Sequence, residues 1–179
     1  MLEIRPARAT IVLCMGDAGA WPAVGPRTTA ALYPIASDER WLVGPARVGD
    51  QLIAWAREQV QTIGKTAYAV DVTDAWSVWT VVGAEAEEVW TRLSENPVPP
   101  GRPAFVQGAV AMVPAKAIVQ DGAIHFFVPA PVGHYFPQRV LEACADLQPK
   151  MGPPTDLVID AAAVAPRGVV SGAMSGARV

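Results

Sequence analysis

The sequence predicts an α+β fold, a ferredoxin-like split β-α-β sheet with an added C-terminal hairpin and helix. Three observations carry this. Strand-like and helix-like periodicities follow in the order strand, helix, strand, strand, helix, strand. The dipeptide Asp121-Gly122 lies between two apolar runs, a two-residue hairpin signal for a type I′ turn. The run "SENPVPPGRP" (94–103) stops the second helix, because no helix survives that density of proline.

Residues 1–34 read as an N-terminal extension. Within them Ile11–Met15 could form a short strand, and "GDAGAWPAVGPR" (16–27) is a loop by its Gly and Pro content. A domain is expected over 35–146. It opens with a possible strand near "ALYPI" (31–35), a polar turn at Ser37–Arg40 and a strand at Trp41–Val43 that Gly44-Pro45 ends. In "RVGDQLIAWAREQVQT" (47–62), Val48, Leu52, Trp55, Ala56 and Gln59/Val60 recur every three or four residues and make one helical stripe. Gly64 is its natural stop.

Strands follow at Ala67–Val72 and Ser77–Val82. Alternation places Trp76, Val78, Thr80 and Val82 on one face and Ser77, Trp79 and Val81 on the other. In "GAEAEEVWTRL" (83–93), Glu85, Glu87 and Glu88 complement the positive end of a helix, and Ala86, Val89, Trp90 and Leu93 form its inner stripe. The helices at about 47–62 and 84–93 are expected to cover one common face. Strands are then predicted at Phe105–Val113, Ala115–Gln120 and Ala123–Val128, with Pro114 at a bulge or break. A third helix over about Val132–Asp146 has Leu141 and Cys144 inward, and Pro137 draws its true start toward His134. Residues 147–179, rich in Ala, Gly, Pro and Val, read as an extended arm lying along a partner or along the domain.

Hydrophobic residues make up 51% of the 179 and charged residues 17%. A lone soluble domain usually carries about a quarter charged residues. With six Trp, the excess points to surface meant for a partner protein. Trp21 in the loop and Trp79 on a strand face are the candidate contact residues. The rival reading is a tight core plus apolar tails. The net charge of −3 with no basic block argues against nucleic-acid binding. Residues 9–20 resemble a leader, but the apolar run is short and Asp17 interrupts it. No stretch approaches the ~18–20 uninterrupted apolar residues of a membrane span, and Gln107 and Lys116 break the most apolar region. Cys14 and Cys144 fit no metal or redox spacing, so a reduced, cytoplasmic chain is the simplest expectation.

Asp71 and Asp74, at the seam between two strands, could serve as general acid or base, or Asp74 could cap the turn. Turn capping is the expectation. His125 and His134 lack a carboxylate or thiol cluster and are expected to be packed or hydrogen-bonded rather than metal ligands. Gly16, Gly19 and Gly25 do not form a dinucleotide loop. Ser171 and Ser175 lie in the Gly/Ala tail without a base. No catalytic, cofactor-binding or metal residue is therefore assigned.

Three stretches carry a resemblance. "SDERWLVGP" (37–45) is similar to an Asp-Glu-Trp-Leu strand, "AVDVTDAWSVWTVVGAEAEEVW" (69–90) to a Val-Asp-Val-Ser-Asp segment with its strand, Gly turn and helix. "PPGRPAFVQGAVAMVPAKAIVQDGAIHFFVPAPVGHYFPQRVLEAC" (99–144) is similar to the strand, hairpin and closing helix that follow. Over about 35–146 the chain resembles the gamma subunit of heterotetrameric sarcosine oxidase and half of the folate-binding aminomethyltransferase fold of the glycine cleavage T-protein. The resemblance implies a non-catalytic subunit that packs against a large alpha flavoprotein, with beta and delta subunits in the same complex. FAD, FMN, NAD, tetrahydrofolate and zinc would belong to the assembly, not to this chain alone. The assembly would oxidise sarcosine or a related N-methyl amine and pass the one-carbon unit to tetrahydrofolate. A free-standing folate-binding one-carbon transferase and a non-enzymatic binding module remain the alternatives.

Overall fold

The computed structural model describes residues 1–17, 19–22 and 29–160. Gly25, Ser171, Ser175 and the arm beyond residue 160 lie outside the described residues. In chain order the elements are β1 (Glu3–Met15), β2 (Ala31–Pro34), β3 (Glu39–Pro45), α1 (Gly49–Ile63), β4 (Tyr68–Asp71), β5 (Trp76–Val82) and α2 (Ala86–Leu93). Then come β6 (Ala104–Val110), β7 (Val113–Gln120), β8 (Ala123–Pro129), α3 (Tyr135–Ala143), β9 (Lys150–Met151) and β10 (Thr155–Asp156).

β1 organises them. Its second half pairs antiparallel with β3 (Ala9↔Pro45 to Met15↔Glu39) and, on its other edge, with β4. Its first half pairs antiparallel with β5, from Glu3↔Val82 to Pro6↔Trp79. One strand thus joins two half-sheets along the path β2-β3-β1-β5-β8-β7-β6. The two ends of that path meet: Tyr33 of β2 stacks on Phe105 of β6 with ring centroids 5.0 Å apart. Beside them Gln107 Nε2 donates to the Ile35 carbonyl at 2.9 Å. The mixed α+β fold is therefore a nearly closed, largely antiparallel sheet.

Strand alternation sorts the side chains into three layers. Trp41 and Val43 of β3, Ile11 of β1, Val78 of β5, Phe127 of β8 and Ile118 of β7 point into the space between the half-sheets. Leu42, Val12 and Cys14 point the other way, against Leu52 and Ala56 of α1. Val81, Val119, Phe126 and Val128 face Val89 and Trp90 of α2 and Phe136 and Val140 of α3. Each such large side chain contributes roughly 1.5–3 kcal/mol by burial.

Five expectations need correction, the last that Pro114 marks a bulge or break. The segment assigned to an N-terminal extension holds the longest strand. Arg5, Pro6 and Arg8 hide its pattern, and the charges find partners: Arg5 with Glu3, and Arg8 with Asp156 at 3.2 Å. α1 and α2 do not share a face, because β1 carries them onto different half-sheets. The strand expected over Phe105–Val113 turns at Ala111 and Met112, whose φ angles of 53° and 67° give the doubly left-handed hairpin turn. At Asp121-Gly122 only Gly122 has positive φ (69°), so the hairpin forms without the type I′ geometry. Pro114 sits in β7, beyond the last residue paired to β8, where no ladder donor is required.

The described part of the arm lies along the domain. β9 and β10 pair parallel with β1, and Leu157 and Ile159 enter the inner layer. Gln120 holds this segment, donating to the Val158 carbonyl at 3.0 Å and accepting from the Asp160 N–H at 3.2 Å.

Candidate functional site

The two aspartates line a polar cleft of about 370 Å³. Its walls are Ala9 and Thr10 of β1, the turn 46–48, the first residues of α1 and the β4–β5 connection. The connection is pinned to β1. Ile11 N–H donates to Thr73 Oγ1, and the Val72 N–H donates to the Ile11 carbonyl, both at 2.9 Å. Asp71 Oδ1 accepts the Thr73 N–H at 2.9 Å. The turn-capping carboxylate is therefore Asp71, not Asp74 as expected; Asp74 is exposed beside it. The donor lies two residues on from Asp71, the spacing of an Asx turn. Arg47, on another wall of the cleft, pairs with Asp156 at 3.7 Å.

The histidines do not meet. His125 lies on the inner face of β8, 3% exposed, with Nδ1 2.9 Å from Thr80 Oγ1. Burial pushes its pKa down to about 4, and the Val158 backbone opposes part of that shift. His134 precedes α3 and is exposed, so of the two expected settings, packed or hydrogen-bonded, it is not packed. The cysteines are equally separate, Cys14 under α1 and Cys144 under α3, both free and buried. Burial pushes the Cys14 thiol up to about 12. Among the described residues no group of three His, Cys, Asp or Glu side chains could hold a metal ion. Gly16 follows β1, and Gly19 and Ala20 beyond it lie in a turn.

The two candidate contact tryptophans are less open than expected. Trp21 is 4% exposed and packs into the α1 layer with Leu32 and Leu52. Trp79 is half-buried, and its Nε1 donates to the Gly133 carbonyl at 3.0 Å where the chain enters α3.

A constellation absent from the list of candidates lies at the rim of the inner layer. Lys116 of β7 projects its Nζ over Trp41 of β3 at 4.7 Å and over Trp76 of β5 at 4.6 Å. The indoles meet edge to face, with centroids 4.7 Å apart. Trp41 also stands against Phe127, edge to face at 5.7 Å. Burial pushes the Lys116 pKa down, and the carboxylate of Glu39 opposes this. A signal existed in the sequence. Gln107 and Lys116 interrupt an apolar region and pair across β6–β7, so two polar side chains share an inward face.

No family model and no curated protein matches the chain. Solved structures do. A chain of heterotetrameric sarcosine oxidase from Corynebacterium sp. U-96, in complex with pyrrole 2-carboxylate, superposes with a TM-score of 0.69 at 16% identity. The match covers 81% of this chain and 84% of that one. Glycine cleavage system aminomethyltransferase T from Bartonella henselae superposes with a TM-score of 0.59 at 9% identity over 84% of this chain, which spans only 47% of that protein. Among the described residues no helix is long and apolar enough to cross a membrane. The chain shares its fold with a subunit of heterotetrameric sarcosine oxidase and with about half of the aminomethyltransferase T-protein.

Proposed function

We propose that this chain is a non-catalytic, gamma-type subunit of a sarcosine oxidase-type heterotetramer, packed against the large alpha flavoprotein. One observation carries the reading. The likeness to the sarcosine oxidase chain runs over four-fifths of both chains, whereas the T-protein is matched over only half its length. The chain therefore corresponds to most of one subunit of that assembly and to about half of the aminomethyltransferase. Two further points support it. Asp71 is committed to a turn, and the most distinctive cluster, Trp41–Lys116–Trp76, sets one ammonium against two aromatic faces with no carboxylate or imidazole in the contact. In this reading the chain alone binds neither flavin nor folate. FAD, FMN, NAD, zinc and tetrahydrofolate are handled by the alpha, beta and delta subunits, and the substrate is sarcosine or a related N-methyl amine. The complex works in the cytoplasm.

The test is co-expression of this chain with the large flavin-binding subunit, then turnover of sarcosine and tetrahydrofolate normalised to bound flavin. Complexes carrying Asp71→Asn or Asp74→Asn are expected to turn over at the wild-type rate. General acid–base groups typically contribute 10²–10⁴-fold, so a hundredfold loss in an intact, flavin-loaded complex would overturn the reading. Binding of tetrahydrofolate by the purified chain alone would favour the one-carbon transferase alternative instead.

A further inference from the structure

At the rim formed by Trp41, Lys116 and Trp76, a partly buried ammonium rests on ring faces. Lys116 is partly buried, yet among the described residues it has neither an ion pair nor a hydrogen bond. Its contacts are the two indole faces at 4.7 and 4.6 Å. Ring faces stabilise a cation through their quadrupoles. They accept no strong hydrogen bond, so the three N–H donors of the ammonium remain available on the open side. Glu39, on the same rim, influences Lys116 through space but forms no ion pair with it. Gln107, paired opposite Lys116, spends its amide N–H on the Ile35 carbonyl.

The surroundings favour a protein ligand. Partly buried Ile35, Val72, Trp76 and Phe105 pack on the inner-layer cluster that includes Trp41. Apolar and aromatic groups around a single charge are the composition of an interface anchor. An acceptor that arrives on this strip excludes water from Lys116, and the charge-assisted hydrogen bond strengthens as it does.

Building on the reading of the chain as an assembly subunit, we propose that this rim is where the partner subunit docks. An Asp or Glu carboxylate of the partner seats on the Lys116 ammonium between the two indoles.

The experiment uses the co-expressed assembly and a zero-length carbodiimide, which couples carboxylates to amines already in contact. The chain has only three lysines, Lys65, Lys116 and Lys150, so mapping by mass spectrometry is unambiguous. The expected product is an amide between Lys116 and a partner Asp or Glu. Lys116→Met keeps the aliphatic stem between the rings. It is expected to weaken association at least tenfold and to flatten its salt dependence, with melting of the isolated chain preserved. Cross-links confined to Lys65 or Lys150, or unchanged affinity in the variant, overturn the docking site while leaving the subunit reading in place. Failure of the wild-type chain to assemble at all overturns both. If Lys116→Met does not fold, the cross-link map on the wild-type assembly decides alone.

Discussion

The two ends of the inner layer hold one basic residue each, on neighbouring strands. His125 of β8 and Lys116 of β7 both point inward, and burial lowers both pKa values. The resolutions differ. His125 gives up its charge, pairs with Thr80, and sits where Leu157 and Ile159 of the C-terminal segment fill the layer. Lys116 reaches solvent at its tip and leans on two indoles. The same desolvation penalty is met at one end by loss of the charge, with Thr80 Oγ1 on Nδ1 and Nε2 left without a hydrogen-bond partner among the described residues, and at the other by two rings and the more distant Glu39. A buried group that can go neutral belongs inside a core. One held charged against ring faces marks a surface awaiting something else.

The comparison breaks most severely at Trp41. It is 3% exposed and touches Trp76, Phe105, Phe127 and Lys116. Trp41→Ala should cost about 3–5 kcal/mol in denaturant unfolding, the usual range for a buried Trp. A cost below about 1 kcal/mol would mean that the rim is not continuous with the core.

The closed end should respond to acid. The folded-state pKa of His125, about 4, lies below its ordinary value of 6.5. The unfolded chain therefore binds the proton first as pH falls. Stability from this site is fully present above pH 6.5 and is lost progressively toward pH 4. The total is on the order of 3 kcal/mol, at 1.36 kcal/mol per unit. Urea unfolding between pH 7 and 4 measures it. The double change His125→Leu with Thr80→Val removes both polar partners together, which avoids stranding either one. It should flatten that pH dependence, and a steep dependence that survives would assign the acid response to other groups.

These two ends were legible in the sequence to different degrees. Alternation in "WSVWTVV" placed Trp76, Val78 and Thr80 on one face, and the inner layer holds them there. The stripe Ala86, Val89, Trp90 and Leu93 was readable because a helix buries one face at a fixed period. β1 was readable only in its last third. Its first part carries Glu3, Arg5, Pro6 and Arg8, whose partners come from a neighbour two residues away and from Asp156 at the far end of the chain. Local pattern carries no information about such long-range pairing. The Lys116 cage was hidden for the same reason, since its three members come from β7, β3 and β5. The turn at Ala111-Met112 was missed because neither residue favours positive φ, so the tertiary pairing of β6 with β7 overrides local preference there.

A smaller effect sharpens the open end. In the isolated chain the folded-state pKa of Lys116 lies below its ordinary 10.5. At neutral pH the amine is charged in both states, and the desolvation cost is borne by the folded one. Stability should therefore rise as pH climbs toward 10.5, where the folded chain releases the proton first. Lys116→Met should remove this alkaline rise and leave the acid response of His125 untouched. The gain is expected to be smaller than the His125 effect because the ammonium still reaches water. Thermal melts between pH 8 and 10.5 read it directly, and an alkaline rise that persists in the variant would place its origin elsewhere.

The smallest expected difference separates the two aspartates of the cleft, which began as equal candidates for chemistry. Asp71 accepts the Thr73 N–H at 2.9 Å, and Thr73 in turn accepts the Ile11 N–H. Removing the Asp71 carboxylate loosens a turn that is fastened to the central strand. Asp71→Ala should cost about 0.5–1.5 kcal/mol, the net worth of one such hydrogen bond. Asp74 is exposed on the same turn, and Asp74→Ala should stay within about 0.5 kcal/mol of wild type. Urea midpoints of the two variants, measured at pH 7 so that His125 remains neutral in both states, resolve the difference. Equal costs would mean that the connection between β4 and β5 is held by Thr73 and the backbone alone. A larger cost at Asp74 would show that the exposed carboxylate, not the capping one, carries the turn, and would return it to consideration as the working group of the cleft.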